Sequence, residues 1–404
     1  MPRIYFQCIA ESCGRSLESK QDSFQCPHCG DLLEVRYKFA NIDPEKVRIE
    51  WSQRRLSNKS INRSGVWRFR ELIPFLEDGA RITSLAEGNT PLVRASHSGS
   101  WAGPVNLSVK HQGNNPTGSF KDLGMTTCIT RADTQGIRMV ACASTGNTSS
   151  STAAYASRAG MKALLFIPKE NISQAKLAQA LDFGAIVMEI GNNFDQAFSL
   201  LRELAVEMGI YLVNSINPFR IEGQKTIVAE MLEQRGWQSP DYIVVPGGNL
   251  GNVSAIGKGL RELNELGFIE KIPRLVVVQA EKASPFVQTL RTKSAKLLAV
   301  DHPDTEATAI RIGHPANWQK AMSALKWSKG LAESVTDREI LEAKNSLTKD
   351  GIGCEPASAT TVAGIRKLTQ AGVIDHGADI VAVLTGNQLK DTEYIYRHRA
   401  PQES

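Results

Sequence analysis

The chain has 404 residues, of which 42% are apolar and 22% charged, and it carries a formal net charge of +5. That length accommodates two or three domains with a sizeable core. So small and dilute a positive excess does not form the basic stripe of a charge-driven nucleic-acid binder. No apolar run approaches the ~20 residues that cross a bilayer. Nothing at the amino terminus reads as a secretion signal, so a cytoplasmic protein with no membrane or nucleic-acid partner is expected.

Residues 1–38 read as a separate module. Cys8 and Cys13, then Cys26 and Cys29, form two chelating pairs. Two such pairs complete a tetrahedral thiolate site, which predicts a zinc-ribbon-like module with a structural zinc. Two disulfides or four free thiols are the alternatives, and stable disulfides do not suit a chain without a secretion signal. Gly14 and Gly30 follow the second cysteine of each pair, where tight turns want an unrestricted residue. Phe6, Phe24, Leu32, Leu33 and Val35 supply candidates for its short strands. Cys128, Cys142 and Cys354 lie in apolar surroundings and read as small core residues.

Residues 39–104 read as a connector and the start of a large lobe. A helical patch is expected near Pro74 and Leu76, and Lys59 to Arg70 reads as solvated and half-packed. From Val105 the pattern changes to an α/β alternation. Candidate strands fall at 105–109, 138–141, 163–167, 186–190, 211–213, 242–245, 275–279 and 380–384. Candidate helices fall at 148–159, 173–183, 195–208, 223–235, 253–266, 336–349 and 357–371. Apolar-continuous strands between helices mean parallel sheet covered on both faces. Ligands in such folds sit at the carboxyl ends of strands, where loops enter helices. Residues 293–312 are the least patterned inner stretch and read as a surface loop, and the tail beyond Tyr396 reads as frayed.

Four loops stand where ligands are expected. The first, Asn114 to Gly124, ends in Lys121 at a loop-to-helix junction; a desolvated lysine there is a nucleophile toward carbonyl carbon. The second, Ser144 to Ser149, offers hydroxyls, an amide and backbone N–H groups at a helix start, suited to a carboxylate. The third, Pro246 to Asn252, is glycine-rich and opens a helix, suited to a phosphate. The fourth runs from Thr385 to Asp391. The third loop lacks the spacing of a dinucleotide fingerprint, and Gly223 to Thr226 lacks the earlier glycine of a P-loop. A reactive lysine, an asparagine, a phosphate cup and a late threonine together ask for a ligand with an aldehyde, a ring and a phosphate, which is pyridoxal 5'-phosphate.

These residues resemble a known family. Asn115 to Asp122 is similar to the N-P-T-G-S-F-K-D signature of threonine synthases. Ser144 to Ser149 resembles their S-T-G-N-T-S loop, and Asn214 to Thr226 their N-S-x-N-x-x-R-x-E-G-Q-K-T segment. Gly248 to Asn252 and Glu355 to Ala359 match as well. Leu123, followed by Gly-Met-Thr, is similar to the longer, plant-type branch, which carries with it regulation by S-adenosylmethionine. The fourth loop departs from T-G-H-G-L-K-D by having Asn387 and Gln388.

The resemblance implies a fold-type II, tryptophan-synthase-β-like enzyme with two parallel-sheet lobes. Residues 105–122 and 214–404 would form the large cofactor-binding lobe, and 123–213 the small mobile lobe. It implies that Lys121 bonds the cofactor's aldehyde and is the catalytic residue. Asn147 would meet the ring hydroxyl, and Gly248, Asn249, Leu250, Gly251 and Asn252 would cradle the cofactor phosphate. Thr385 would face the ring nitrogen, where a neutral hydroxyl leaves that nitrogen less firmly protonated. Ser144 and Thr145 would meet the substrate carboxylate, and Asn214, Ser215 and Arg220 the substrate phosphate. The implied reaction turns O-phospho-L-homoserine and water into L-threonine and phosphate, in a homodimer. A threonine or serine dehydratase or a cysteate-forming synthase is the alternative, from which a phosphate-binding Arg220 would discriminate. A binding protein built on the cysteine module is a further alternative, against which the intact lysine and phosphate loops argue.

Overall fold

A computed structural model describes residues 4–18, 22–39, 42–76, 79–144, 146–168, 174–190 and 210–399. The first strands, β1 (Ile4–Cys8), β2 (Ser16–Leu17) and β3 (Leu33–Tyr37), form a small antiparallel sheet in the order β2-β1-β3. Phe6 sits in β1 and Leu33 and Val35 in β3, and all three are buried, whereas Phe24 and Leu32 lie outside the strands.

The strands β4 (Leu92–Arg94), β5 (Asn106–His111), β6 (Met139–Ala143), β7 (Lys162–Pro168), β8 (Ile186–Ile190) and β9 (Tyr211–Leu212) follow. Then come β10 (Tyr242–Pro246), β11 (Arg274–Ala280), β12 (Leu331–Val335) and β13 (Asp379–Leu384). They make two sheets. The larger has the order β12-β11-β10-β13-β5-β4, and the smaller β8-β7-β6-β9. All pairings in both are parallel except that of β4 with β5. Every residue of β10 is buried, as a strand covered by helices on both faces requires. Two apolar clusters cover the larger sheet, one around Val244, Val278 and Ile365, the other around Ile243, Val277 and Leu260. A third, around Ile129, Tyr155 and Leu165, belongs to the smaller sheet.

Several expectations are corrected. The strands β4 and β12 were not anticipated: β4 is a short edge strand, and β12 mixes polar and apolar residues because only its last two are buried. The span 223–235 is two helices, Pro218–Gln224 and Thr226–Gln234, that meet at Lys225. The expected helix 195–208 lies outside the described residues. No helix forms at Pro74 to Leu76; the connector is ordered instead by a helix Pro44–Arg55 and a 3-10 turn Trp67–Leu72. Lys59 to Arg70 is not a solvated segment. Trp67, Arg68 and Phe69 are buried, and Arg68 pairs with Glu233 at 2.5 Å. Trp51 stacks on Phe268 at 4.8 Å, which binds the connector to the large-sheet core. The helix Thr392–Arg399 carries order past Tyr396.

Local signals set the helix ends. Thr336 and Glu339 make a capping box at the start of the helix Asp337–Lys349. Asn217 caps Pro218–Gln224 by accepting from Phe219 N at 3.0 Å. Cys128, Cys142 and Cys354 are free and fully buried, as core residues.

Candidate functional site

The helix Lys121–Thr134 and the helix Pro218–Gln224 cross at glycines. A Cβ on Gly223 would lie 1.8 Å from the carbonyl oxygen of Leu123, and one on Gly124 would lie 2.8 Å from that of Arg220. Only glycine permits this approach. It sets the first residue of one helix, Lys121, facing the same cleft as Arg220 of the other. The lysine loop is fixed from below by Asp122, which accepts from Thr117 N at 2.7 Å, Thr117 Oγ1 at 2.6 Å and Ser151 Oγ at 2.6 Å. Burial still raises the Asp122 carboxyl to about 6. The loop is tied to the fourth loop by Phe120 N donating to Thr385 O at 3.0 Å and by a bridge between Ser119 and Gly386.

The cleft has a volume of about 760 Å³ and lies at the carboxyl ends of β6, β10 and β13. Every residue expected to meet the cofactor or the substrate, Thr145 excepted, lines it. Thr145 lies outside the described residues. Lys121 is lowered to about 7, chiefly by desolvation and then by the Arg220 charge, with Glu355 opposing. A lysine so placed is a neutral amine for much of the time near neutrality. Arg220 is buried, and its guanidinium is lowered from its ordinary value by desolvation. One Nη donates to Val213 O at 3.1 Å, while Nε and the other Nη have no partner. A buried cation with two free donors is costly unless an anion completes it.

The glycine-rich third loop is shaped by its backbone. Leu250 has φ +61°, in the left-handed region, at the entry to the helix Gly251–Glu265. A Cβ on Gly247 would lie 2.7 Å from the side chains of Gln279 and Val277, and one on Gly248 would lie 3.2 Å from Ala309 O. Asn249 does not offer its side chain to the cleft: it donates to Ser215 Oγ at 2.7 Å and accepts from Ala316 N at 2.6 Å. Asn252 is buried with neither amide atom partnered. Asn214 braces the end of β6, accepting from Ala143 N at 3.1 Å and donating to Ala143 O at 2.9 Å. Ser144 Oγ accepts from Gly146 N at 3.1 Å, closing the second loop.

A pyridoxal phosphate fits this donor set. An amine lowered to about 7, the start of the helix at Gly251 and a buried Asn252 amide lacking partners answer its aldehyde and phosphate. Asn147 Oδ1 and Gln224 Oε1 are also buried without partners at the cleft.

Residues 83–386 of the chain match the family of pyridoxal-phosphate dependent enzymes. The threonine synthase of Methanocaldococcus jannaschii is 45% identical over 97% of this chain and 94% of its own length. Those of Methanosarcina acetivorans (42%, over 97% and 93%) and Synechocystis (45%, over 84% and 88%) are similarly related. The chain belongs to the threonine synthase family. Its fold is fold-type II: a fungal L-serine ammonia-lyase from Rhizomucor miehei superposes with a TM-score of 0.67 at 20% identity, covering 78% of this chain and 99% of that one. Threonine deaminase isoform 2 from Solanum lycopersicum gives 0.65 at 19%, covering 77% and 88%.

Reasoning from residue types missed two features of this family member's cleft. Glu355 is buried beside Asn147 and Thr385, although its motif was visible in the sequence. The stretch 293–312 is not a mere surface loop: its carboxyl half, with Thr308, Ala309 and Ile310, walls the cleft. It carries no periodic pattern because it packs as irregular chain around a 3-10 turn, Thr308–Ile310.

The cysteine module has its own geometry. The four sulfurs lie within 4.8 Å of one another, with Cys8 and Cys29 at 3.4 Å and Cys13 and Cys26 at 3.8 Å. Four thiolates around one zinc at ~2.3 Å stand about 3.8 Å apart. Gly14 and Gly30 have φ +52° and +78°, the left-handed turns that such pairs require. The donor set fits zinc.

Proposed function

We propose that the chain converts O-phospho-L-homoserine and water to L-threonine and phosphate. The observation that carries this reading is Arg220: buried, with two unpartnered N–H donors, facing the cleft that also holds a neutral-leaning Lys121. A substrate with an amine at one end and a phosphate at the other answers both. The identity of 42–45% with threonine synthases over most of the chain supports it.

Lys121 Nζ would hold the cofactor, Asn147 its ring hydroxyl, Thr385 its ring nitrogen, and the N–H groups of Gly248 to Asn252 its phosphate. Bound pyridoxal phosphate supplies an aldehyde that captures the substrate amine and a ring that draws electrons from the substrate's Cα. The other roles belong to the chain. Lys121 Nζ, near 7, would accept the Cα proton, take the Cβ proton whose loss lets phosphate leave Cγ, and return protons to Cγ and, last, to Cα. Arg220 grips the substrate phosphate through Nε and Nη2 and stabilises its growing charge as it leaves Cγ. Ser215 adds a hydroxyl there, and Ser144 and Thr145 receive the substrate carboxylate at the helix start. Residues 123–213 would act as a small lobe that closes on the large one, 105–122 with 214–404, and excludes bulk water until one is added at Cβ.

Lys121→Ala is expected to remove the visible absorbance of the reconstituted protein and to cut phosphate release and threonine formation by more than ~10³-fold. A coloured, active variant would refute the assignment. We also propose structural zinc on Cys8, Cys13, Cys26 and Cys29, supported by their mutual distances. Metal analysis should find one zinc per chain, absent from a Cys26→Ser, Cys29→Ser variant. A cytoplasmic homodimer is what the family resemblance implies. Light scattering on the purified protein tests the dimer.

A further inference from the structure

Arg220 is anchored at two points, and both lead back to the cysteine module. The first anchor is the backbone beside it. Phe219, the preceding residue, is fully buried, and its carbonyl oxygen accepts from Thr127 Oγ1 at 2.8 Å. The Arg131 guanidinium lies over the Phe219 ring at 5.0 Å, and Phe6 of β1 meets that ring edge-on at 6.0 Å. The second anchor is Val213 O, which accepts from one Nη of Arg220 at 3.1 Å. Among the described residues it is the one hydrogen-bond partner of that guanidinium. Val213 follows β9 directly, and its N extends the sheet by donating to Ala141 O at 3.0 Å.

Asp22 joins the two anchors. It lies between β2 and β3 in the chain, and its side chain is 2% exposed. Its carboxylate accepts from Arg131 Nε at 3.1 Å and Arg131 Nη2 at 2.9 Å, and from the Tyr211 hydroxyl at 2.8 Å. Arg131 leads to Phe219. Tyr211 opens β9, two positions before Val213, and Phe24 packs edge-on against its ring at 5.5 Å. The start of the Arg220 helix is tied to the same strand, since Asn217 Nδ2 donates to Leu212 O at 2.8 Å. A carboxylate that takes two N–H groups of one guanidinium fixes direction as well as distance. Phe6, Asp22 and Phe24 do not themselves line the cleft.

We propose that Asp22 is a positioning residue for Arg220: through Arg131 and Tyr211 it holds the guanidinium in the direction that grips the substrate phosphate. The proposal rests on the reading that Arg220 binds that phosphate. Two N–H donors of a planar fork meet two phosphate oxygens only when the fork is aligned with both, and a misplacement of ~1 Å costs up to ~10²-fold. The cysteine module thereby serves the reaction without contributing an atom to the cleft.

The test uses the full chain reconstituted with pyridoxal phosphate, so that the cofactor's own phosphate site is filled. Two dissociation constants are measured. One is for inorganic phosphate, by calorimetry. The other is for L-homoserine, which has the substrate's amine and carboxylate but no phosphate, from the cofactor's absorbance. Asp22→Asn turns one acceptor into a donor and removes the charge. It is expected to weaken inorganic phosphate ~10-fold and to leave L-homoserine within ~2-fold. Equal weakening of both ligands would mean a general loosening and overturns the proposal, as does wild-type affinity for phosphate. Where Asp22→Asn does not fold, Tyr211→Phe carries the test, because it removes one hydroxyl and keeps the ring. A ~3-fold loss for phosphate alone supports the proposal, and no loss overturns it. Arg220→Met separates the two levels. If it binds phosphate as the wild type does, the reading of Arg220 falls and the proposal with it. If it loses phosphate while Asp22→Asn keeps it, the proposal alone falls.

Discussion

Arg220 and Glu222 stand two residues apart on one short helix, both fully buried, and have opposite fates. Glu222 faces the cysteine module and is saturated: it pairs with Lys225 at 2.6 Å and with Lys258. Glu262 completes the cluster, 2.6 Å from Lys225. Lys258 also donates to Val35 O and Lys320 to Leu33 O at 3.0 Å, so the cluster pins the module's β3 to the large lobe. Arg220 faces the cleft and keeps two donors without partners. Burial alone therefore does not distinguish a structural charge from a functional one. Pairing does. A buried charge with its partners supplied by the chain holds the fold, and one without them awaits a ligand.

Removing partners from the saturated side has the largest expected effect. Glu222→Ala leaves Lys225 and Lys258 short of a buried counter-charge, and a loss of about 3–5 kcal/mol of stability is expected in denaturant unfolding. If the melt is unchanged, the cluster is not structural and the contrast with Arg220 falls. Arg220→Met reverses the signature: phosphate-release kcat/KM should fall ~10²–10³-fold while the melting temperature of the ligand-free protein holds or rises. A variant that melts earlier yet turns over normally would move Arg220 to the structural side. The smallest effect concerns a second basic group of the cleft, Lys121. Lys121 is lowered to about 7, so the cofactor-free protein should take up pyridoxal phosphate slowly at pH 6, faster through pH 7, and at a constant rate above pH 8. The ammonium form below the midpoint is not a nucleophile, and the neutral amine above it is. A rate still climbing at pH 9 would mean that desolvation and Arg220 do not act on Lys121 as the geometry implies.

The cysteine module offers the same lesson in packing. From spacing alone it reads as an appendage. In the fold, Asp22 pairs with Arg131 at 2.9 Å and accepts from Tyr211 at 2.8 Å, while Phe6 meets Phe219 edge-on at 6.0 Å. The module is wedged under the helix that carries Arg220.

Much of this was legible in the residues. The alternation of apolar strands with helices specifies a parallel α/β fold, because period and composition follow from burial on both faces. The four loops were legible only together, because glycine, asparagine and hydroxyl residues after any one strand are also ordinary turn chemistry. Lys59 to Arg70 was misjudged because its charges are answered by distant residues: Glu233, the partner of Arg68, lies 165 positions away. The cleft wall at 308–310 left no trace, since an irregular segment has no period to detect.

By itself the sequence determined most of the parallel strands and their helices and marked the lysine loop and the glycine-rich loop as candidates, since each depends on neighbours a few positions away. The tertiary structure alone decided which charges are paired, how closely Gly124 and Gly223 let two helices approach, and that Glu355 meets Asn147 and Thr385. Those depend on groups brought together from remote parts of the chain, and a hydrogen bond or an ion pair exists only where distance and direction allow it.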